Sequence, residues 1–60
     1  MIFTHKKGDK YVVTGYYHNS TKKFQTTYHN PYYALAINLW NGQVWQCRGG
    51  KKRLIKEVVN

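Results

Sequence analysis

Two stretches near the start of the chain alternate large side chains with small or polar ones. Residues 10–18, Lys-Tyr-Val-Val-Thr-Gly-Tyr-Tyr-His, and residues 23–29, Lys-Phe-Gln-Thr-Thr-Tyr-His, are rich in β-branched and aromatic types, which fit a pleated, half-buried surface. Asn19-Ser20-Thr21-Lys22 between them is turn chemistry, so the segment reads as a β-hairpin. A turn centred on Ser20 and Thr21 pairs Tyr17 with Phe24, Gly15 with Thr26 and Val13 with Tyr28. That register gathers Tyr11, Val13, Tyr17, Phe24 and Tyr28 on one face as an aromatic core. It leaves Lys10, Val12, Thr14, Tyr16, His18, Lys23, Gln25, Thr27 and His29 on a polar, basic face with one exposed ring, Tyr16. A slip of one residue would invert the two faces.

Asn30-Pro31 is a helix start with a mechanism: Asn caps free amides, and Pro at the first helical position gives up no hydrogen bond. Gly42 is the matching stop, which predicts a helix over 31–41. At ~100° per residue its apolar side chains cover an arc of about 200°, leaving only Ala34, Asn38 and Asn41 outside. Packing on a sheet needs a stripe of about 100°. The surplus implies either a homodimer covering Tyr32, Leu35 and Leu39, or a C-terminal segment wrapped over the helix.

Gln43-Val-Trp-Gln-Cys-Arg48, Gly49-Gly50 and Lys51-Lys-Arg-Leu-Ile-Lys-Glu-Val-Val59 read as a second hairpin with a two-residue loop. Trp45 then faces Leu54 and Val44 faces Ile55. Residues 54, 55, 58 and 59 also match helical spacing, but the glycine pair favours the strand. Ile2-Phe3-Thr4-His5 could add a short edge strand. The order is (β)ββαββ, a single α+β domain over 1–60 with one helix on one face of an antiparallel sheet. Trp40 and Trp45 are assigned to its core, and Cys47 to a strand position without reactivity.

Charge changes the picture. Ten Lys and Arg stand against two carboxylates, Asp9 and Glu57, for a formal +8 on sixty residues. Such an excess repels itself in a compact fold unless a polyanion neutralises it. The core is near the lower limit for folding without staples, and the lone Cys47 allows no internal disulfide. The first residues are too polar for a signal peptide, and nothing approaches the ~20 apolar residues of a membrane span. A soluble, cytoplasmic protein without a membrane partner is expected.

Candidate catalytic chemistry is sparse. Two-carboxylate hydrolysis has only Asp9 and Glu57 to draw on, and Glu57 lies among lysines. His5, His18, His29 and Cys47 show none of the paired spacings of zinc modules, so no metal and no cofactor is expected. A two-histidine ribonuclease needs no carboxylate, but His29 lies about 20 Å along its strand from Lys23 at ~3.3 Å per residue. His5 and His29 could meet only if the N-terminal strand pairs beside Val12. Gly49-Gly50-Lys51-Lys52 lacks the spacing and the hydroxyl residue of a phosphate loop. The chain is read as a non-enzyme.

What remains is basic residues interleaved with aromatics. Arg48, Lys51, Lys52, Arg53 and Lys56 crowd the second hairpin, whose narrow tip could enter a groove or follow a backbone. Tyr16 with Lys23 forms a second contact face on which an unpaired base could stack. The expected function is nucleic-acid binding, DNA or RNA, with backbone recognition and little sequence specificity.

Asn-Leu-Trp-Asn-Gly-Gln-Val-Trp, followed by Gly-Lys-Lys-Arg-Leu-Ile-Lys, resembles small uncharacterised basic proteins encoded by large tailed phages of the T4 type. The likeness covers about residues 10–59 in its order of strands, Pro-started helix and basic hairpin. It implies an accessory protein acting on host machinery in the host cytoplasm. The alternative to nucleic acid is then an inhibitor or antitoxin docking on an acidic host protein, with electrostatic steering accounting for the charge.

Overall fold

β1 (Lys10–Tyr17), β2 (Phe24–Tyr28), α1 (Pro31–Ala36), β3 (Leu39–Arg48) and β4 (Lys51–Val58) follow one another along the chain. The computed structural model describes residues 4–60. All pairings are antiparallel, in the sheet order β2-β1-β3-β4, and α1 lies over β1 and β2. This is the α+β architecture read from the sequence. Of the expected N-terminal edge strand, Ile2 and Phe3 lie outside the described residues, and Thr4 and His5 are not in a strand.

The first hairpin pairs Tyr11 with Tyr28, Val13 with Thr26 and Gly15 with Phe24, two residues away from the expected register. Because side chains alternate with a period of two, the faces survive such a shift. Its cause is a longer loop: Ser20 N–H donates to Tyr17 O at 3.2 Å, and Asn19 adopts a left-handed φ of 62°. Tyr17, no longer opposite Phe24, is 44% exposed yet stacks on that ring with centroids 4.1 Å apart.

The helix starts as predicted and stops early. Asn30 Oδ1 accepts from Tyr32 N–H at 2.8 Å with Pro31 in the first turn, but the backbone is extended again at Ile37. A helix this short gains little per added residue. Entering β3 at Leu39 instead adds ladder hydrogen bonds to β1 and buries Leu39 in the core. Lys56 Nζ donates to Leu35 O at 2.9 Å, satisfying a carbonyl at the helix end.

This corrects the broad apolar arc. Ala34, expected outside it, is fully buried, Leu39 is a core strand residue, and Leu35 packs on the core. Of the expected dimer surface Leu39 is buried, Leu35 is half-buried and Tyr32 is 81% exposed. Leu39 therefore drops out of that surface, which is left with Tyr32 and the half-buried Leu35.

The core comprises Tyr11, Val13, Ala34, Leu39, Val44 and Ile55, with Phe24, Tyr28, Leu35, Ile37 and Val58 packed around it. The second hairpin closes through Gly49-Gly50, both with positive φ, as a tight two-residue loop requires. Trp45 faces Leu54 as expected, but Val44 faces Lys56, because the register shifts there and Ile55 turns inward. At the sheet centre Gly15 faces Gly42. A Cβ on Gly15 would lie 2.1 Å from Asn41 O, so β1 and β3 approach closely only because both residues are glycine.

Candidate nucleic-acid interface

Since α1 covers only one face of the sheet, alternation decides what the other presents. Tyr11, Val13, Val44 and Gln46 turn toward the helix side and are buried. Their neighbours turn away: Val12 pairs with Trp45 and Trp45 with Leu54, Lys10 with Cys47 and Cys47 with Lys52, Tyr16 with Asn41. The open face therefore carries Tyr16, as expected, and also both tryptophans. Trp45 is half-buried and Trp40 is 43% exposed, which corrects their assignment to the core. The alternation of Trp45 with Val44 and Gln46 along β3 carries the signal for this placement, since neighbours on a strand face opposite sides.

Trp40 owes its position to a bulge. Tyr16 pairs with Asn41 and Tyr17 with Leu39, leaving Trp40 without a partner between them. An extra residue of this kind re-aims a side chain. Asn60 fixes the spot from the chain end: its side chain donates to Trp40 O, and its N–H donates to Asn41 Oδ1 at 2.8 Å. The ring borders a cleft of about 630 Å³ lined by Tyr16, His18, Asn19, Ser20, Thr21 and Trp40.

The basic hairpin divides into residues with different work. Lys51, Lys52 and Arg53 are exposed and have no carboxylate partner among the described residues. Lys52 lies on the open face, opposite Cys47, whereas Lys51 and Arg53 lie opposite Arg48 and Gln46. A shallow depression of about 270 Å³ joins these residues at the tip. Lys56 sits apart, half-buried beneath the helix end. Lys23 is exposed just before β2.

Arg48, expected to meet phosphate, is bound internally. Its Nε and Nη2 donate to the two oxygens of Asp9 at 2.9 and 2.6 Å, and Nη2 also donates to Thr4 O at 2.6 Å. Asp9 is 2% exposed and accepts further bonds from Lys6 N–H at 2.9 Å and Gln46 Nε2 at 3.0 Å. Bonding to Arg48, outweighing the opposing effect of burial, holds the Asp9 carboxyl well below the usual carboxylate range. Asp9 in turn raises the Arg48 pKa. Gln46 Nε2 also donates to Thr4 O at 2.9 Å, so this cluster ties residues 4–9 to the end of β3. The role of Asp9 is not legible in the sequence, because its partner Arg48 is 39 residues away.

His5 and His29 do border one cleft, of about 630 Å³, with Asn30, Pro31, Tyr32 and Leu35. His5 Nδ1 is 2.6 Å from the Tyr11 hydroxyl, and no Lys or Arg lines this cleft among the described residues. No cluster of three metal-ligating side chains occurs among the described residues. Nor is any helix there long and apolar enough to cross a membrane.

Fold and surface together define a small antiparallel sheet with a helix over β1 and β2 on one side and, on the other, aromatic rings and cations that have no carboxylate partner among the described residues. No family model matches the chain, and no curated protein or solved structure matches it significantly.

Proposed function

We propose that the protein binds nucleic acid without cleaving it, through the open face of its sheet and the adjoining hairpin tip. One observation carries the reading: three rings, Tyr16, Trp40 and Trp45, share an uncovered sheet face with Lys10 and Lys52. Every base offers a π-face, so rings on a basic sheet give sequence-tolerant affinity. The cations give attraction to the backbone. Asp9 is occupied by Arg48 and Glu57, the one carboxylate of β4, accepts from Gln43 Nε2 at 3.4 Å, so little internal charge competes with phosphate.

A salt titration of oligonucleotide binding tests this. With four phosphates met by Lys10, Lys51, Lys52 and Arg53, log affinity falls against log salt with a slope of about −3 for a single strand and about −4 for a duplex. Absence of binding at low salt, or a flat slope, refutes the reading. Recovery of one stoichiometric protein from lysate after nuclease treatment would turn the assignment to a protein-binding inhibitor.

A further inference from the structure

The cleft between Tyr16 and Trp40 is more specialised than the rest of the open face. Trp40 is the unpaired residue of the β-bulge and lies beside Tyr16 instead of in the core. The left-handed Asn19 and the turn from Tyr17 to Ser20 fold the loop back against these rings. Ser20 is committed to the loop, since its Oγ accepts from Lys22 N–H and donates to Lys22 O. The side chains of His18, Asn19 and Thr21 make no hydrogen bond among the described residues. Lys22 and Lys23 follow, both exposed and without a carboxylate partner among the described residues.

We infer that this cleft binds an unpaired nucleobase, which makes single-stranded nucleic acid the preferred ligand. The inference rests on the nucleic-acid reading above. The two rings supply stacking surfaces, the amide, hydroxyl and imidazole groups at the rim can bond a base edge, and Lys22 and Lys23, exposed and next in sequence after the rim residue Thr21, add positive charge for the attached phosphates. A base inside a duplex is already stacked and paired, and reaching this cleft would cost its unstacking. An extruded or single-stranded base meets no such barrier.

The test is fluorescence anisotropy with a labelled 12-nucleotide single strand, as RNA and as DNA, and with the matching duplex. Wild type binds the single strand more tightly than the duplex. Trp40→Ala and Tyr16→Ala each weaken single-strand binding about 5- to 150-fold, the range for loss of one stacked base. Trp40→Phe retains most of the affinity, and Tyr32→Ala, on the helix, leaves it unchanged. In a Trp45→Phe protein, where Trp40 is the remaining indole, adding the single strand quenches the fluorescence. The inference is overturned if Trp40→Ala and Tyr16→Ala bind single strands like wild type, if the duplex binds as tightly, or if Trp40 emission is unchanged at saturation. These results leave the nucleic-acid reading standing, whereas loss of all binding at low salt removes both.

Discussion

Replacing Gly15 with Ala should unfold much of the protein, and the reason is local geometry. The added Cβ would lie 2.1 Å from Asn41 O and 2.5 Å from Gly42 Cα, and the residue has φ +144°. Neither strand can move aside easily: β1 is held by β2 as well as β3, and β3 by β4 as well as β1. Backbone strain costs about 1–3 kcal/mol, and forced displacement in a packed interior about 1–3 kcal/mol more. The loss of about 2–6 kcal/mol compares with a total stability of about 3–9 kcal/mol, at ~0.05–0.15 kcal/mol per residue. Gly8→Ala is the matched control, having φ +94° but, chain neighbours aside, no atom of the described residues within 4 Å of the added Cβ. It incurs strain alone, about 1–3 kcal/mol. Urea unfolding followed by far-ultraviolet circular dichroism measures both, and each kcal/mol lowers Tm by about 4–8 °C in a domain of this size. Equal destabilisation of the two variants, within about 0.5 kcal/mol, would refute the close-approach argument.

Three further outcomes follow from the same structure. Asp9→Asn destabilises the protein near neutral pH, and its deficit relative to wild type shrinks as pH falls below the ordinary Asp value of 3.8. The folded carboxyl has the lower pKa, so its contribution is present above that value and disappears as acid protonates it; unfolding curves from pH 6 to 2 check this, and a constant deficit contradicts it. Charge reversal of Lys51, Lys52 and Arg53 together weakens single-strand and duplex binding alike and flattens the salt slope by about 2–3, because each cation accounts for nearly one released counterion; an unchanged slope moves the backbone contact elsewhere. Purified protein leaves labelled RNA and DNA uncut, since the His5 and His29 cleft has no lining cation among the described residues and His5 Nδ1 meets the Tyr11 hydroxyl. Cleavage abolished by His5→Ala or His29→Ala would make the protein a nuclease.

Local chemistry determined a good deal of this protein. The alternation in 10–17 and 24–28, the Asn30-Pro31 helix start and the Gly49-Gly50 loop each act through neighbouring residues, and each forms where the chain predicts it. Even the two-residue register error left the faces of β1 and β2 correct, because a strand repeats every two residues. What depended on partners distant in sequence could not be read. The apolar run after Pro31 suits a helix by itself, yet Leu39 and the residues after it join β1, whose Gly15 admits the backbone at Gly42. That exchange brings Leu39 into the core, takes it out of the expected dimer surface and places Trp40 in a bulge. The basic hairpin was visible as charge, but Arg48 and Lys56 were assigned by folding to Asp9 and the helix end. A ring or a cation is the same residue in the core, in an ion pair or at a binding face. Only the side of the sheet it occupies, and what covers that side, separates the three.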